Sequence, residues 1–580
     1  MSTKDRQQGR VHPLVDLARR QLAERKSDRR DFLRTVTLLG VSATAAYAMA
    51  GEILGEAIVA PARAADATPK AGGILRVSMG IQEMADPALF DWTEKSNQSR
   101  HIVEYLTYTG PDNVTRPYLA ERWEASDDLR TWTFHLRQGV KWNNGDDFNA
   151  DDVIFNFKRW TDPKTGSSNI GLFNGLTEDY DTGEKNEDGS PKMGKRERQG
   201  AIEKVDDHTV RLHFAKPILS VPENCYNYPT AILHREFDKN GKDLSKWPVG
   251  TGPYTLVDFA VGQKCILKRT DMPYWGKDID DPYMFGPIYL DEIHYFDHGS
   301  ASAAQLAAFA SGQVDSIYEF DIASFEMASS IPSAKIYEAQ TAQTGVLRMK
   351  VTEKPFTDQR VRRAIQLCCD ASVYPELVYQ GRAQAGEHHH VAPVHPEYFP
   401  LPKLERNVDE AKKLLAEAGF QDGLEVTIDC GNTNGPWQQQ VCEIFQGQLA
   451  DAGVKLNINV MPTEQYWANW TKTPFGITAW THRPLGTMVL SVGYRSGVPW
   501  NESGYASKEF DAALGEAESF VDVEQRKAAM EKVEKILQDA AVMVQPLWQP
   551  KFFIASEKVK GMTAHPTQYH QYHRVWLEEA

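Results

Sequence analysis

The side chains with the widest chemical reach in this 580-residue chain are histidines and asparagines of its second half, together with dispersed carboxylates. His388-His389-His390, with His395 close behind, is the densest group of metal-ligating type. Adjacent histidines in a loop rarely converge on one ion, and no carboxylate or cysteine stands at supportive spacing, so solvent-facing or cleft-lining histidines are expected and a metal is not. The carboxylates Glu83, Asp86, Asp321 and Glu443 follow no spacing that singles out an acid/base pair. The chain has no G-x-S-x-G elbow, no H-E-x-x-H pair, no phosphate loop and no cysteine cluster for iron–sulfur or haem. An exported hydrolase is therefore a remote alternative, and no cofactor is expected. The run Asn432-Thr433-Asn434-Gly435-Pro436-Trp437 sits between a predicted strand and a predicted helix. That junction is where open α/β sheets bind ligands, and its free N–H groups prefer anions. Asn432 and Asn434 are candidate contacts, and Trp437 either stacks on a ligand or staples the helix.

The elements that must hold these residues alternate beyond residue 300. Helix then strand is predicted over 301–311 and 314–320, over 409–418 and 424–429, and over 437–452 and 455–460. Gly419 and Gly453 stand just past two of these helices, the usual place for a left-handed terminating residue. Such alternation builds a mixed or parallel sheet in an α/β fold. A long amphipathic helix follows at 523–539. Nearer the N-terminus, a first strand is read at 73–79 with a loop at 80–92, and a hairpin at 201–214. The stretch 119–157 holds the alternating run Thr131-Trp132-Thr133-Phe134-His135-Leu136, a turn at Asn143-Asn144-Gly145-Asp146, and Asn149 as N-cap of a helix. Residues 163–200 turn polar and read as a solvated insertion, whose Asn186-Glu187-Asp188-Gly189 lacks the spacing of a calcium loop.

The N-terminus reads as an address. Ser27-Asp28-Arg29-Arg30-Asp31-Phe32-Leu33 has the paired arginines of a twin-arginine export signal, mildly apolar residues follow over 36–51, and Ala62-Arg63-Ala64 suits cleavage before Ala65. Glu52 and Glu56 interrupt the apolar run, which argues against a membrane anchor. Partnership with the twin-arginine translocase and a periplasmic destination follow. Net charge is −15, and removal of a leader with an excess of four positive charges leaves −19. That balance argues against nucleic acid or an anionic membrane as the main partner. The six cysteines show no C-x-x-C spacing, and buried free thiols are expected for most.

Four further motifs share one order. The 119–157 stretch, Pro248-Val249-Gly250-Thr251-Gly252-Pro253-Tyr254 followed by Tyr274-Trp275, Ser311-Gly312-Gln313-Val314-Asp315, and Pro355-Phe356-Thr357-Asp358-Gln359-Arg360-Val361 together resemble the pattern of family 5 extracytoplasmic solute-binding proteins, the peptide/nickel class of ABC-importer receptors. The resemblance implies a periplasmic-binding-protein-like α/β fold: two lobes with two hinge crossings plus an extra subdomain on lobe one. Residues 1–64 would be the leader, 65–300 lobe one with the subdomain at about 110–200, completed by 546–580, and 301–545 lobe two. It also implies a monomer that captures a short peptide or peptide-like solute and delivers it to the permease subunits of the inner membrane. A non-peptide solute, such as an opine, an oligosaccharide or another anionic organic molecule, is the alternative. The family's 80–92 loop faces the cleft, which makes Glu83 a candidate contact. Its amine-binding aspartate follows a tryptophan in a W-x-x-D arrangement, and here Trp480-Thr481-His482-Arg483 occupies that stretch with Arg483 in the aspartate's place. A cation there favours a carboxylate, which arginine grips bidentately. Trp480 and His482 complete the candidate site.

Overall fold

A computed structural model describes residues 11–56, 68–185 and 191–579. The expected cleavage point at Ala64 and Ala65 and the loop Asn186-Glu187-Asp188-Gly189 lie outside the described residues. One sheet runs through the whole molecule. Its first half joins Tyr254–Ala260, Lys264–Arg269, Glu292–Phe296, Ile74–Ser78 and Ser316–Ile317, with Ile74–Ser78 parallel to both of its neighbours. The second half joins Ala334–Met349, Phe475–Trp480, Leu424–Cys430 and Val454–Val460. Leu547–Ser556 connects them, pairing antiparallel with Ser316–Ile317 on one side and Ala334–Met349 on the other. The helices Val408–Glu417 and Trp437–Ala450 precede the parallel strands Leu424–Cys430 and Val454–Val460, as their periodicity requires. Gly419 and Gly453 terminate them at φ +91° and +78°.

Buried apolar residues form two main cores. One runs from Leu75 and Val77 through the aromatic region around Trp132 and Trp160, and the other surrounds Ile428, Phe445 and Ile477. The subdomain is a separate four-stranded sheet in which Thr131–Leu136 is central, Trp132, Phe134 and Leu136 being buried. Its helix Ala150–Thr161 opens with a capping box in which the Asn149 side chain accepts from backbone N–H and the Asp152 carboxylate accepts the Asn149 N–H at 3.0 Å. The polar insertion carries a hairpin of Thr177–Lys185 and Pro191–Glu197, mostly exposed, preceded by a buried turn of helix Asn169–Leu172. Gly250 and Gly252 lie on the backbone of residues 101 and 102. A β-carbon on Gly250 would fall 1.8 Å from the Ile102 carbonyl oxygen, so this motif is a packing seam. All six cysteines are free and buried. Among the described residues, no helix is long and apolar enough to cross a membrane.

Candidate functional site

The sheet's two halves flank a cavity of about 670 Å³, inside the range that holds small ligands. One wall comes from the loop after Ile74–Ser78, which brings Glu83, and from Glu94, Asp297, Glu319 and Asp321. The other comes from Asn432, Thr433, Asn434, Glu464 and Trp467. Seven carboxylates and two lysines line it, and both lysines are engaged, Lys95 with Asp91 and Lys246 with Asp243, each at 2.7 Å. Burial pushes the Glu94 carboxyl up to about 8, even though Gln82 Nε2 donates to it at 2.5 Å. Burial, reinforced by Glu319, raises Asp321 to about 6.

Asn434 is the knot of this cavity. Its side-chain amide donates to Glu319 at 3.0 Å, and its oxygen accepts from Gln343 Nε2 at 2.6 Å and from Lys551 Nζ at 3.2 Å. Lys551, buried and ion-paired with Glu319, has its pKa lowered by burial. Four side chains from chain positions 319, 343, 434 and 551 thus meet at one point. The loop that carries Asn434 turns through Asn432 at φ 45° and Gly435 at φ +102°. A β-carbon at Gly435 would lie 2.6 Å from the Asp321 carboxylate, so glycine is what lets the loop approach it. Trp437, expected to stack on a ligand or staple the helix, does not reach the cavity. It is 3% exposed, its ring lies over Gly345, and its Nε1 donates to the Asn434 carbonyl at 2.6 Å, so it braces the loop from beneath.

Trp480, His482 and Arg483 form a second, inner group. The indole of Trp480 donates to Glu502 at 2.8 Å, and the same buried carboxylate accepts from Arg348 Nε at 2.8 Å and from Thr478 Oγ1 at 2.6 Å. Arg483 is 2% exposed, its guanidinium 5.4 to 5.6 Å from the rings of Tyr228, Trp480 and Trp500. It donates to Tyr228 Oη at 3.1 Å and to the Thr481 carbonyl at 3.3 Å, while its Nε has no partner. His482 Nδ1 accepts from the Ala342 N–H at 2.9 Å, and burial holds its pKa well below the usual histidine range, so it acts as a neutral acceptor. Trp467 links the two groups, lining the large cavity and also the aromatic pocket of Tyr228, Trp480 and Trp500. The three adjacent histidines face three different partners: His388 the Gln545 N–H, His389 the carboxylates of Glu387 and Glu534, and His390 the Tyr494 hydroxyl. No group of three or more ligand-type side chains is placed to hold a metal among the described residues.

The geometry therefore brings Glu83, Asn432 and Asn434 to one cavity, Trp480 to the adjoining aromatic pocket, and His482 and Arg483 to a separate small cavity. Glu94, Glu319, Gln343, Lys551 and Glu502 were not anticipated. Glu319-Phe320-Asp321, alternating at the end of the strand predicted over 314–320, was the one local signal that pointed to any of them.

A two-lobed α/β molecule with a carboxylate-lined cavity between its halves is the architecture of a solute-binding protein. The chain belongs to the bacterial extracellular solute-binding proteins, family 5, whose middle-region model matches residues 115–501. It is 27% identical over 492 residues to Heme-binding protein A of Haemophilus influenzae, covering 80% of this chain and 84% of the relative. It is 24% identical to the dipeptide-binding protein DppE of Bacillus subtilis, covering 81% and 85%. Its fold matches the periplasmic binding protein DppA of Helicobacter pylori in complex with the peptide STSA, at a TM-score of 0.74, 24% identity and coverage of 88% and 99%. It also matches AgaA of A. tumefaciens in complex with agropinic acid, at a TM-score of 0.75, 21% identity and coverage of 87% and 99%.

Proposed function

We propose that the protein is the substrate-binding receptor of an ABC importer and that it takes a short peptide or peptide-like solute whose cationic end lies among the carboxylates of the cavity. The observation that carries this reading is the charge of the walls: of seven acidic side chains, Glu94 is mostly protonated at pH 7, Asp243 pairs with Lys246 and Glu319 with Lys551, which leaves Glu83, Asp297, Asp321 and Glu464 as uncompensated negative charge among the described residues. An ammonium or guanidinium entering such a space gains from carboxylates that water screens less than at an open surface. Closure of the lobes on the ligand then presents it to the permease, the ligand supplying the differential contacts that favour the closed form. The relatives named for dipeptides and the structure holding STSA support a peptide. The reading includes export by the twin-arginine translocase on Arg29-Arg30, removal of the leader before Ala65, and a monomer in the periplasm. Isothermal titration with tripeptides of positive, zero and negative net charge tests it. The cationic peptide should bind about tenfold or more tighter than the neutral one. Equal affinities, or preference for the anionic peptide, would sink the acidic-cavity assignment.

A second reading rests on Arg483. A guanidinium 2% exposed, with an unpartnered Nε and no paired carboxylate among the described residues, suits an anionic group of the solute. It would hold a peptide's C-terminus or a non-peptide anion such as an opine. Arg483→Met should weaken an anionic ligand by about tenfold or more, and unchanged affinity removes Arg483 from the site.

A further inference from the structure

The N-terminal segment is docked on the folded body as three helices, Leu14–Ala23, Arg29–Leu38 and Ala43–Leu54. Every residue from 31 to 38 is buried. Arg34 forms a two-pronged pair with Glu223 at 2.6 and 2.9 Å, its side chain 3% exposed and that of Glu223 fully buried. Asp31 takes both its bonds from Arg526 Nη2 at 2.8 Å, again with both partners buried. Gln21 donates to Asp522 at 2.7 Å, Trp123 donates to the Leu38 carbonyl at 2.9 Å, and the Tyr47 hydroxyl donates to Asp112 at 2.8 Å. Phe32, Leu33 and Val36 share one core with Trp123 and with Met530 and Val533.

The placement of these partners gives the contact its meaning. Asp112, Trp123 and Glu223 belong to the lobe-one side. Asp522 and Arg526 stand at the start of the helix Val523–Ala540, whose other end is tied to the helix Gln359–Leu367 of the second lobe, Arg363 pairing with Asp539 at 3.0 Å. The segment thus grips a part of each lobe with a buried ion pair of opposite polarity: an arginine to one side, an aspartate to the other. A segment of the wrong charge order would leave Glu223 or Arg526 buried without a partner. Arg30 from the same helix also walls the small cavity beside Arg483 and His482.

We infer that residues 11–56 are an intramolecular latch, which ties the two lobes together and covers the approach to Arg483 for as long as the segment stays attached. Its functional sense rests on the receptor reading, since a receptor must open to load. Losing the segment, by cleavage or by undocking, frees the lobes and uncovers Glu223 and Arg526.

The test uses the full chain and the variant Arg34→Glu, which sets two carboxylates against each other from the segment's own side and leaves the body's sequence intact. Hydrogen exchange should show the 14–54 amides protected in the wild type and exchanging about 100-fold faster in Arg34→Glu, with the strand 131–136 equally protected in both. Spin labels on cysteines substituted for the exposed Lys141 and Lys455 should report one narrow interlobe distance in the wild type and a longer, broader distribution in the variant. Adding Glu223→Arg to Arg34→Glu should restore both. Rapid exchange of the segment in the wild type overturns the docking, and an unchanged interlobe distance after release overturns the latch. Neither readout needs a solute, so failure of the peptides to bind would count against the receptor reading alone.

Discussion

Binding of a cationic solute should tighten about fivefold between pH 7 and pH 9, and Glu94→Gln should abolish that response. Glu94 titrates near 8, so it is about one-tenth ionised at pH 7 and about nine-tenths ionised at pH 9. A ligand cation seated about 6 Å from it, at an effective dielectric of about 40, between bulk water and the value usual near a protein surface, gains about 1.4 kcal/mol from the ionised form, a factor of ten. Weighted by ionisation, the gain over the neutral carboxyl is about twofold at pH 7 and about ninefold at pH 9. The sign follows from linkage: the cation binds the deprotonated form better, so binding releases protons and is favoured as pH rises. Asp321, raised only to about 6, has completed most of its ionisation by pH 7 and acts in the lower part of the range. The assay is isothermal titration of an arginine-containing dipeptide in buffers of different ionisation heat. Glu94→Gln serves as the control that carries the same titration of the ligand's own amine. Parallel profiles in wild type and variant, or a wild type that loosens relative to the variant as pH rises, would refute the reasoning.

Two predictions concern the framework. Gly250→Ala should destabilise the first lobe by about 3 kcal/mol in urea unfolding, because its β-carbon would meet the Ile102 carbonyl at 1.8 Å and backbone must move to admit it. Glu502→Ala should cost about 3–5 kcal/mol, because it leaves Arg348, fully buried, without its carboxylate. Glu502→Gln, which keeps an acceptor for the Trp480 indole, should cost less, and equal losses in the two variants would show that the charge is what matters.

What the sequence made legible was local. The alternation at 131–136, the cap at Asn149 and the glycines at 419 and 453 each act within a few residues, and the structure places them as their chemistry dictates. The cavity is assembled differently. Glu319, Gln343, Asn434 and Lys551 carry no common motif and converge only because two long strands and a helix-bearing loop cross there. Trp437 misled because its spacing showed that it opens a helix and not that its ring would turn under the loop onto Gly345. Arg483 was found through a departure from a family pattern, yet its cage depends on Tyr228, 255 residues away in the chain. The N-terminal segment illustrates the same limit. Asp31 sits in the proposed export motif and Arg34 directly after it, and their buried partners lie 495 and 189 residues distant.

The ribbon formed by Ala334–Met349 and Leu547–Ser556 bears on how such a receptor moves. Its register slips between Gln340 and Gln343, opposite Pro550, which has no N–H to offer the ladder. A turn of lobes joined by a continuous sheet is expected to fall at this slip, where the ladder is already interrupted. Gln343, at the slip itself, is also the residue that reaches Asn434 on the cavity floor. If the lobes turn at this slip, a solute drawing on Asn434 would act through Gln343 on the pivot itself, as a key acts on the barrel it turns.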